Sequence, residues 1–582
     1  MILESETRIL KGIPASSGVA FGEARVFYAG EQSIVERLIA KEDIPRELER
    51  LDQAVEATKK ELQKYQKKAG QKLGGPVASI FDSQLMIATD EDFLGKVKDE
   101  IKKNRRSAEY SYSMLVEKSM VPLRISKDPY MRQMVYDIEA VSNRIIQNLS
   151  GNRGHQISPA IRDCIFVGKR FNPGDILNLY ERDARAVITT GGSPNSHMAL
   201  VARSLLMPAV VGVEQAHLQI NSGDRVIVDG DQGIITVNPS DEEWDKYRGK
   251  ENDFRVLPIN RLKKLPKFPL KTKDKKEVTV AVNITLPGPL DKTIAGRQIG
   301  VGLYRTEFLY IQHGEFPTED EQYKIYDKVA EQYAPQSVVI RTFDLGSDKF
   351  AENDENNKEN NPALGWRGIR AALEMPKIFR DQIRAILRAS RRGNVKLLLP
   401  MISDISELTR ALTMIRRAKN ELTKAGKKFD DDIKIGVMIE VPSAAVSADL
   451  FAEKVDFFSI GSNDLTQYTL AADRDNRKLV KLFNQLHPAV IKLIRMTIDA
   501  ANRNNIPVTV CGEVSGDALA IPLLIGLGVT ELSMNPSKLH NAAGVIPKIS
   551  MNDARKLADR ILRLKSPKEI EGKLLEFNMA LD

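Results

Sequence analysis

From about residue 271 onward, the chain repeats an apolar strand followed by an amphipathic helix. Eight segments have the apolar, β-branched composition of buried strands: VTVAVNI, GVGLYRTEFLY, SVVIRTFDLGS, VKLLLPMI, IKIGVMIEVPS, VDFFSIGSNDL, IPVTVCGEV and ELSMNP. Segments with apolar residues at helical spacing, such as IFRDQIRAILRASRRG, separate them. Eight such units in about 300 residues predict a single parallel (β/α)8 barrel of the TIM type.

The polar residues of this repeat fall where the predicted strands end. They are Arg305, Thr306, Glu307, Arg341, Asp344, Glu440, Asn463, Asp464, Cys511 and Glu513. Barrels of this type carry their active sites at the carboxyl ends of the strands. The repeat therefore predicts a binding site at that face.

Cys511 lies in the stretch VTVCGEVSGD, directly after a predicted buried strand. A cysteine at the mouth of a strand, beside glycines that let the backbone approach a ligand, indicates chemistry. The alternative is a small core residue, because free cysteine is among the most buried residue types.

The predicted mouth of the barrel is rich in charge. Its basic residues come from separate segments: Arg305, Arg341, Lys349, Arg367 and Arg474. Several guanidinium groups at one cavity suit a small, multiply anionic ligand, since arginine pairs bidentately with carboxylate and phosphate. Glu440 and Asp464 follow neighbouring strands and predict a Mg²⁺ site beside phosphate oxygens. For any single residue, a structural ion pair is the alternative.

The first 240 residues show two kinds of sequence pattern. Residues 1–32 and 151–240 contain short strands and turns, whereas residues 33–150 carry apolar residues at helical spacing. Helices are predicted around 44–65, 78–86, 92–103 and 130–149. We therefore predict a multidomain α/β protein: an α/β domain over 1–32 and 151–240, an inserted helical bundle over 33–150, a linker over 241–270 and the barrel over 271–582.

His197 lies in the stretch ITTGGSPNSHMALVARS, after a predicted strand and a glycine-rich turn. This places His197 at the N-terminus of a helix, where free amides and the helix dipole favour phosphate. An imidazole held there could carry a phosphoryl group. The alternative is a histidine of the capping region without a function.

Bulk properties exclude several classes of protein. The chain has 582 residues, 42% hydrophobic and 28% charged, as in ordinary globular proteins. It has no apolar run that could span a bilayer and no signal-peptide pattern, and its two cysteines fit a reducing cytoplasm. The net charge of +8 is concentrated in Arg261–Lys276, whose prolines favour a solvated linker over a nucleic-acid site. We expect neither a nucleic-acid nor a membrane partner.

Long motifs carry a resemblance to a known family. They are PASSGVAFGEA, SHMALVARS, GVGLYRTEFLY, NPALGWRGIR, GVMIEVPSA, DFFSIGSNDLTQYTLAADR and VCGEVSGD. Together they resemble the Enzyme I family, the phosphoenolpyruvate–protein phosphotransferases of the sugar phosphotransferase system, over essentially the whole chain. Pyruvate phosphate dikinase and phosphoenolpyruvate synthase are similar in the barrel motifs, but they need an ATP-binding domain for which this chain has no room.

The resemblance implies a mechanism. Phosphoenolpyruvate binds at the barrel mouth, and a swivelling phosphohistidine domain brings His197 to accept its phosphoryl group. Cys511 then protonates the enolate to give pyruvate, and His197 passes the group to the histidine-containing carrier HPr, docked on the helical insert. Dimerisation through the barrel is also implied. The residues that the resemblance assigns to phosphoenolpyruvate are Arg305, Arg341, Asn463, Asp464, Arg474, Arg367 and Lys349, with Mg²⁺ on Glu440 and Asp464.

The sequence departs from the family pattern near His197. The family usually has Gly-Gly, two residues and Ser-His, so either Ser193 replaces the second glycine or the turn is one residue longer. Arg170 and Asn172 stand in the segment where the family tends to have Asp-Leu-Thr-Pro, so the usual threonine hydroxyl is missing. Two alternatives to the sugar-uptake enzyme follow: a regulatory, nitrogen-type paralogue, and an impaired scaffold that binds phosphoenolpyruvate without being phosphorylated.

Overall fold

The structure is a computed structural model with two compact units, Met1–Asn260 and Arg261–Asp582. The described residues are 7–27, 34–73, 75–125, 129–151, 162–193, 196–248, 262, 264–285, 287, 289–313, 316–346, 359, 361–473, 479 and 482–581.

The first unit contains one eight-stranded sheet, ordered β1-β8-β7-β3-β4-β5-β6-β2. Strands β3 to β6 are parallel and the other pairs are antiparallel. The predicted strands between residues 151 and 240 are all present, and their Val, Ile and Ala side chains form a buried core. The strands are β1 Arg8–Lys11, β2 Ile13–Ser16, β3 Val19–Phe27, β4 Ile165–Gly168, β5 Ala186–Thr189, β6 Ala209–Val211, β7 Arg225–Asp229 and β8 Ile234–Val237.

The first unit also contains helices, and a helical bundle separates β3 from β4. The four predicted bundle helices are present, but the sequence did not predict the helix Ala108–Arg124. That segment contains Tyr, Ser and Val and has Pro122 inside it, so its intrinsic helix propensity is weak. It packs against Pro129–Leu149, and this contact stabilises it.

The bundle helices are Ile44–Leu73, Gly75–Ala78, Ile80–Ala88, Glu91–Asn104, Ala108–Arg124 and Pro129–Leu149, preceded by the 3₁₀ turn Lys41–Asp43. The other helices of this unit are Pro173–Tyr180, His197–Ser204, Ala216–Gln219 and Asp241–Arg248. The bounds of the inserted bundle and of the 241–270 linker stay predictions.

The second unit is a closed barrel, which confirms the predicted multidomain α/β fold with a C-terminal (β/α)8 barrel. All eight predicted strands are present and parallel, and β10 pairs with both β11 and β17 to close the ring. A short strand, β9 Leu270–Lys271, adds an antiparallel edge to β10. The barrel strands are β10 Glu277–Ile284, β11 Gly300–Tyr304, β12 Val338–Arg341, β13 Val395–Leu399, β14 Ile435–Ile439, β15 Phe457–Ile460, β16 Val508–Val510 and β17 Glu531–Met534.

Amphipathic helices surround the barrel and place the carboxyl ends of its strands on one face. They are Pro289–Ala295, Phe308–His313, Glu319–Tyr333, Ile369–Glu374, Pro376–Ala389, Ile405–Lys424, Pro442–Val446, Ala448–Ala452, Ser462–Leu470, Pro488–Arg503, Ile521–Leu527, Leu539–Val545, Met551–Ile561 and Pro567–Met579. The 3₁₀ turns are Pro362–Leu364, Ser390–Arg392, Glu513–Gly516, Pro536–Lys538 and Ile546–Lys548.

None of the described helices combines sufficient length with sufficient apolar character to cross a bilayer.

Candidate active site

Arg341 ends strand β12 and lies buried at the barrel mouth, 8% exposed. Its guanidinium is 3.0 Å from a carboxylate oxygen of Glu307 and 3.0 Å from one of Asp344. Burial alone would lower the pKa of Arg341, but these two carboxylates raise it above its ordinary value. Its buried Nε has no hydrogen-bond partner among the described residues. Arg341 is therefore a charged guanidinium whose Nε–H donates to none of the described residues.

Arg367 lies beside Arg341 on the same carboxylate. Its Nε and Nη2 donate to the two oxygens of Asp344 at 3.0 and 2.7 Å, and Nη2 lies 3.4 Å from Asp464. Gly368 follows at φ 56°, and a Cβ there would lie 2.7 Å from the Cβ of Met401, so only glycine fits. The backbone thus brings a guanidinium from a loop to the end of strand β12.

Tyr468 fixes the outer side of Arg367. The Nη1 of Arg367 donates to the phenol oxygen at 3.0 Å, and the phenol donates in turn to the carbonyl of Ala363. The hydroxyl joins the helix after β15 to the turn Pro362–Leu364. These contacts hold Arg367 in place before any ligand is bound.

Glu440 and Asp464 lie at the ends of neighbouring strands and are 1% and 8% exposed. Burial raises the pKa of Glu440, the nearby Asp344 and Asp464 carboxylates raise it further, and Arg341 and Arg367 lower it. One oxygen of Glu440 accepts from the amide of Met401 at 2.7 Å.

The buried Oδ1 of Asp464 has no hydrogen-bond partner in the described part of the chain. An orphaned carboxylate oxygen beside a second carboxylate fits a cation that keeps water and substrate among its ligands, as Mg²⁺ does. The described residues contain no group of three or more His, Cys, Asp or Glu side chains that could hold a metal by themselves. The donor set therefore fits a divalent cation that also takes ligands from water or substrate.

Cys511 follows β16 and is 3% exposed. Its Sγ accepts a hydrogen bond from Ser459 at 3.2 Å and donates to the carbonyl of Ile460 at 3.5 Å. Burial raises the pKa of the thiol to about 11, although Ser459, Arg341 and Arg305 oppose this. The thiol therefore carries its proton at neutral pH.

The remaining predicted barrel residues differ in their placement. Arg305 is exposed at the end of β11. The amide of Asn463 donates to Glu513 at 3.2 Å and accepts from Gln485 at 3.1 Å. Two further predicted residues, Lys349 and Arg474, lie outside the described residues.

His197 belongs to the first unit and begins the helix His197–Ser204, as predicted. Ser196 caps the helix by accepting from the amide of Ala199 at 3.3 Å. The Nδ1 of His197 lies 3.1 Å from Oδ1 of Asp137, which is on the bundle helix Pro129–Leu149. In a neutral imidazole, this contact with a carboxylate acceptor favours the tautomer with the proton on Nδ1 and the lone pair on Nε2.

The residues that depart from the family pattern have ordinary structural roles. Gly192 takes the positive φ of the turn, 108°, so Ser193 occupies a position without that requirement. Asn172 caps the helix Pro173–Tyr180 in a capping box with Asp175. Arg170 pairs with Glu139 of the bundle.

Several residues of this site have no role predicted from the sequence. Glu307 and Asp344 were recognised as polar strand ends but not as partners of arginine, and Ser459 and Tyr468 were not singled out. Ser459 did carry a signal, since it is the lone hydroxyl in the apolar strand FFSI. Tyr468 lies four residues after Asp464, which places both on one helix face.

Family models match most of the chain. The model described as "PEP-utilising enzyme, PEP-binding domain" matches residues 259–551. Those described as "PEP-utilising enzyme, N-terminal" and "PEP-utilising enzyme, mobile domain" match residues 11–133 and 161–233.

Curated relatives match nearly the full length. The chain is 38% identical over 561 residues to the phosphoenolpyruvate-protein phosphotransferase of Bacillus subtilis (strain 168), covering 96% of this chain and 98% of the relative. It is 37% identical over 563 residues to that of Geobacillus stearothermophilus, covering 97% of each. A solved structure described as an NMR solution structure of Enzyme I (nEIt) is 30% identical, with a TM-score of 0.36 over 42% of this chain and 100% of that one.

Proposed function

Because the chain belongs to the phosphoenolpyruvate-protein phosphotransferase family, we propose that His197 accepts the phosphoryl group from a phosphoenolpyruvate bound at the barrel mouth. The protein is a phosphoenolpyruvate-protein phosphotransferase, an Enzyme I. It moves the phosphoryl group of phosphoenolpyruvate to protein, and its relatives carry that name over 96% of this chain or more.

The arginine pair Arg341 and Arg367 supports the proposed substrate site, and the observation that carries it is the buried Nε of Arg341, which has no partner within the described ranges. Guanidinium groups already fixed by Asp344 can receive phosphate or carboxylate without reorganising. Arg305 lies at the end of the neighbouring strand β11. Asn463 contributes its amide, and the resemblance adds Lys349 and Arg474.

The metal proposed for this site is Mg²⁺, held by Glu440 and Asp464. The PEP-utilising enzymes use a divalent metal ion, and the orphaned Oδ1 of Asp464 supports its position here. When bound, Mg²⁺ neutralises negative charge that develops on the transferring phosphoryl group. The guanidinium groups of Arg341 and Arg367 neutralise the same negative charge.

The transfer breaks the phosphorus–oxygen bond of phosphoenolpyruvate and forms a phosphorus–nitrogen bond at Nε2 of His197. The contact of Nδ1 with Asp137 supports this choice of nitrogen. The enolate left behind takes a proton at carbon from the thiol of Cys511, which becomes a thiolate. Because the pKa of Cys511 is raised to about 11, the thiol stays protonated at neutral pH until it transfers its proton to the enolate.

Phosphoenolpyruvate and a carrier protein of the phosphotransferase system are its partners. We propose that this carrier is HPr and that it docks on the exposed surface of the helical bundle, one helix of which contacts His197. On the bundle, Met86, Ile125 and Tyr136 are 75%, 78% and 45% exposed. Tyr136 adjoins Asp137, and Arg170 stacks on its ring at 4.7 Å. Exposed apolar side chains on a bundle that contacts His197 through Asp137 suit a transient protein contact.

The proposal also includes a homodimer formed through the barrel and a cytoplasmic location. Support for the dimer comes from apolar side chains on neighbouring outer helices of the barrel: Val446, Leu450 and Met496 are 59%, 51% and 42% exposed. Support for the location comes from two free thiols, Cys164 and Cys511, which fit a reducing compartment.

The first test mixes the pure protein with Mg²⁺ and phosphorus-labelled phosphoenolpyruvate, without a carrier. We expect an acid-labile, base-stable label on His197 and an equal amount of pyruvate. Absence of label, with phosphoenolpyruvate still bound, would instead support the impaired scaffold. Label on another residue would remove His197 from the proposal.

The docking surface is tested by Met86→Asp. A carboxylate in an apolar interface is expected to weaken transfer to HPr about tenfold or more, while self-phosphorylation from phosphoenolpyruvate stays unchanged. The measurement is the rate of label transfer to purified HPr at several HPr concentrations. Val35→Asp is the matched control, since Val35 is 76% exposed and precedes the first bundle helix. Equal effects of the two changes would contradict the assigned surface.

A further inference from the structure

Ser459 and Cys511 face each other inside the barrel, from neighbouring parallel strands. The hydroxyl of Ser459, in a residue 1% exposed, donates to the sulfur of Cys511 at 3.2 Å. The thiol proton points to the carbonyl of Ile460 at 3.5 Å. The sulfur of the resting thiol therefore accepts one hydrogen bond and donates one.

The surroundings of the sulfur are apolar. Cys511 forms a buried cluster whose other members are Leu303, Val339, Leu398, Met438 and Phe457. A thiolate formed in such a layer is costly unless a donor meets it. The charged groups that act on the thiol are Glu440, Arg341 and Arg305. Among hydrogen bonds to this sulfur from the described residues, the donor is Ser459.

We propose that Ser459 is a positioning residue for proton transfer, aiming the thiol of Cys511 and stabilising the thiolate that it becomes. This rests on the proposed function, in which Cys511 is the acid. In that step the S–H bond breaks and a C–H bond forms at the terminal carbon, while the enolate becomes the ketone of pyruvate. The carbonyl of Ile460 loses its hydrogen bond as the proton leaves. The hydrogen bond from Ser459 becomes charge-assisted and strengthens, so it acts mainly in the transition state.

The experiment compares Ser459→Ala with the wild-type full chain in the presence of Mg²⁺, phosphoenolpyruvate and HPr. We expect kcat for pyruvate formation to fall about tenfold to hundredfold, the range of a hydrogen bond to a charged group. KM for phosphoenolpyruvate should stay near its wild-type value. The solvent deuterium isotope effect on kcat should rise, because proton transfer becomes slower than the other steps. Ser459→Thr, which keeps the hydroxyl, should restore most of kcat.

Two comparisons make the outcome decisive. Ser390→Ala removes another fully buried hydroxyl of the same barrel, one that bonds to the carbonyl of Leu387. It should leave the isotope effect unchanged. If Ser459→Ala does not fold, Ser459→Cys, with a weaker donor of similar size, decides by the same isotope effect. An unchanged kcat and isotope effect in the folded variant would overturn the role of Ser459.

Cys511→Ala separates this inference from the proposed function. If Cys511→Ala forms pyruvate at the wild-type rate, Cys511 is not the acid and the proposed function fails at that step. If Cys511→Ala is slow and Ser459→Ala is not, only the inference about Ser459 fails. Slow pyruvate formation by both variants, with the raised isotope effect in Ser459→Ala, supports both.

Discussion

His197→Ala is expected to abolish phosphorylation of the protein, because it removes the nucleophile that the proposed mechanism requires. Loss of a nucleophile costs a factor on the order of 10⁶ in kcat in well-studied enzymes, so labelling should fall below detection. Binding of phosphoenolpyruvate should persist, since His197 is not part of the barrel that binds it. Two measurements check this: incorporation of label from phosphoenolpyruvate, and calorimetric binding of phosphoenolpyruvate with Mg²⁺.

The control for His197→Ala is His217→Ala in the same unit. His217 is buried, and its Nδ1 lies 2.9 Å from the hydroxyl of Thr190, next to the glycine-rich turn. It tests whether loss of a nearby imidazole is sufficient to stop labelling. We expect His217→Ala to remain labelled. Persistent label in His197→Ala would exclude His197 as the acceptor.

The departures near His197 have local explanations that weaken the scaffold alternative. The positive φ of the turn falls on Gly192, so Ser193 imposes no backbone strain. Asn172 replaces a threonine of the family pattern and caps its helix as a threonine could. The helix that begins at His197 keeps its own cap, Ser196. The geometry around the imidazole is therefore compatible with an active phosphohistidine.

The barrel could be predicted from the sequence because its strands are buried on both faces. Parallel strands of this kind are nearly continuous apolar runs, and the eight runs are separated by strongly amphipathic helices. The same pattern located Arg341, Glu440, Asp464 and Cys511, since each follows the end of such a run. These properties depend only on local sequence.

The partners of these residues could not be predicted in the same way. Arg367 reaches Asp344 across 23 residues and Tyr468 across 101, and Ser459 meets Cys511 across 52. Such pairs depend on which strands become neighbours and how far each loop extends. A single sequence shows which charges are available, but the closed barrel decides which of them neutralise each other.

The contact between His197 and Asp137 could not be predicted from the sequence for a similar reason. The two residues are 60 positions apart, and one belongs to a predicted α/β domain and the other to a predicted helical insert. Helical spacing predicts which face of Pro129–Leu149 is apolar, but it does not predict what the polar face meets. Packing of the two parts within the first unit places a carboxylate on the imidazole.

Asp464 joins the proposed metal site to the arginine pair. One of its oxygens lies 3.4 Å from Arg367, and the other is buried without a hydrogen-bond partner among the described residues. Asp464→Asn removes one negative charge at constant size, and the amide oxygen can still accept from Arg367. It therefore changes the ligand offered to a cation with little effect on packing.

Asp464→Asn is expected to weaken divalent-metal binding at least about 100-fold. This loss of affinity is as large as or larger than the loss caused by mutating a residue that only hydrogen-bonds to a metal ligand. The rate of His197 phosphorylation should fall roughly 10³-fold, since metal stabilisation of transferring charge is worth several kcal/mol. Mn²⁺ binding, followed by electron paramagnetic resonance without substrate, measures the first effect independently of activity. Asp449→Asn, an exposed carboxylate on the same barrel, is the control. Undiminished Mn²⁺ binding in Asp464→Asn would place the metal elsewhere, whereas lost binding with full activity would show that the transfer does not need it.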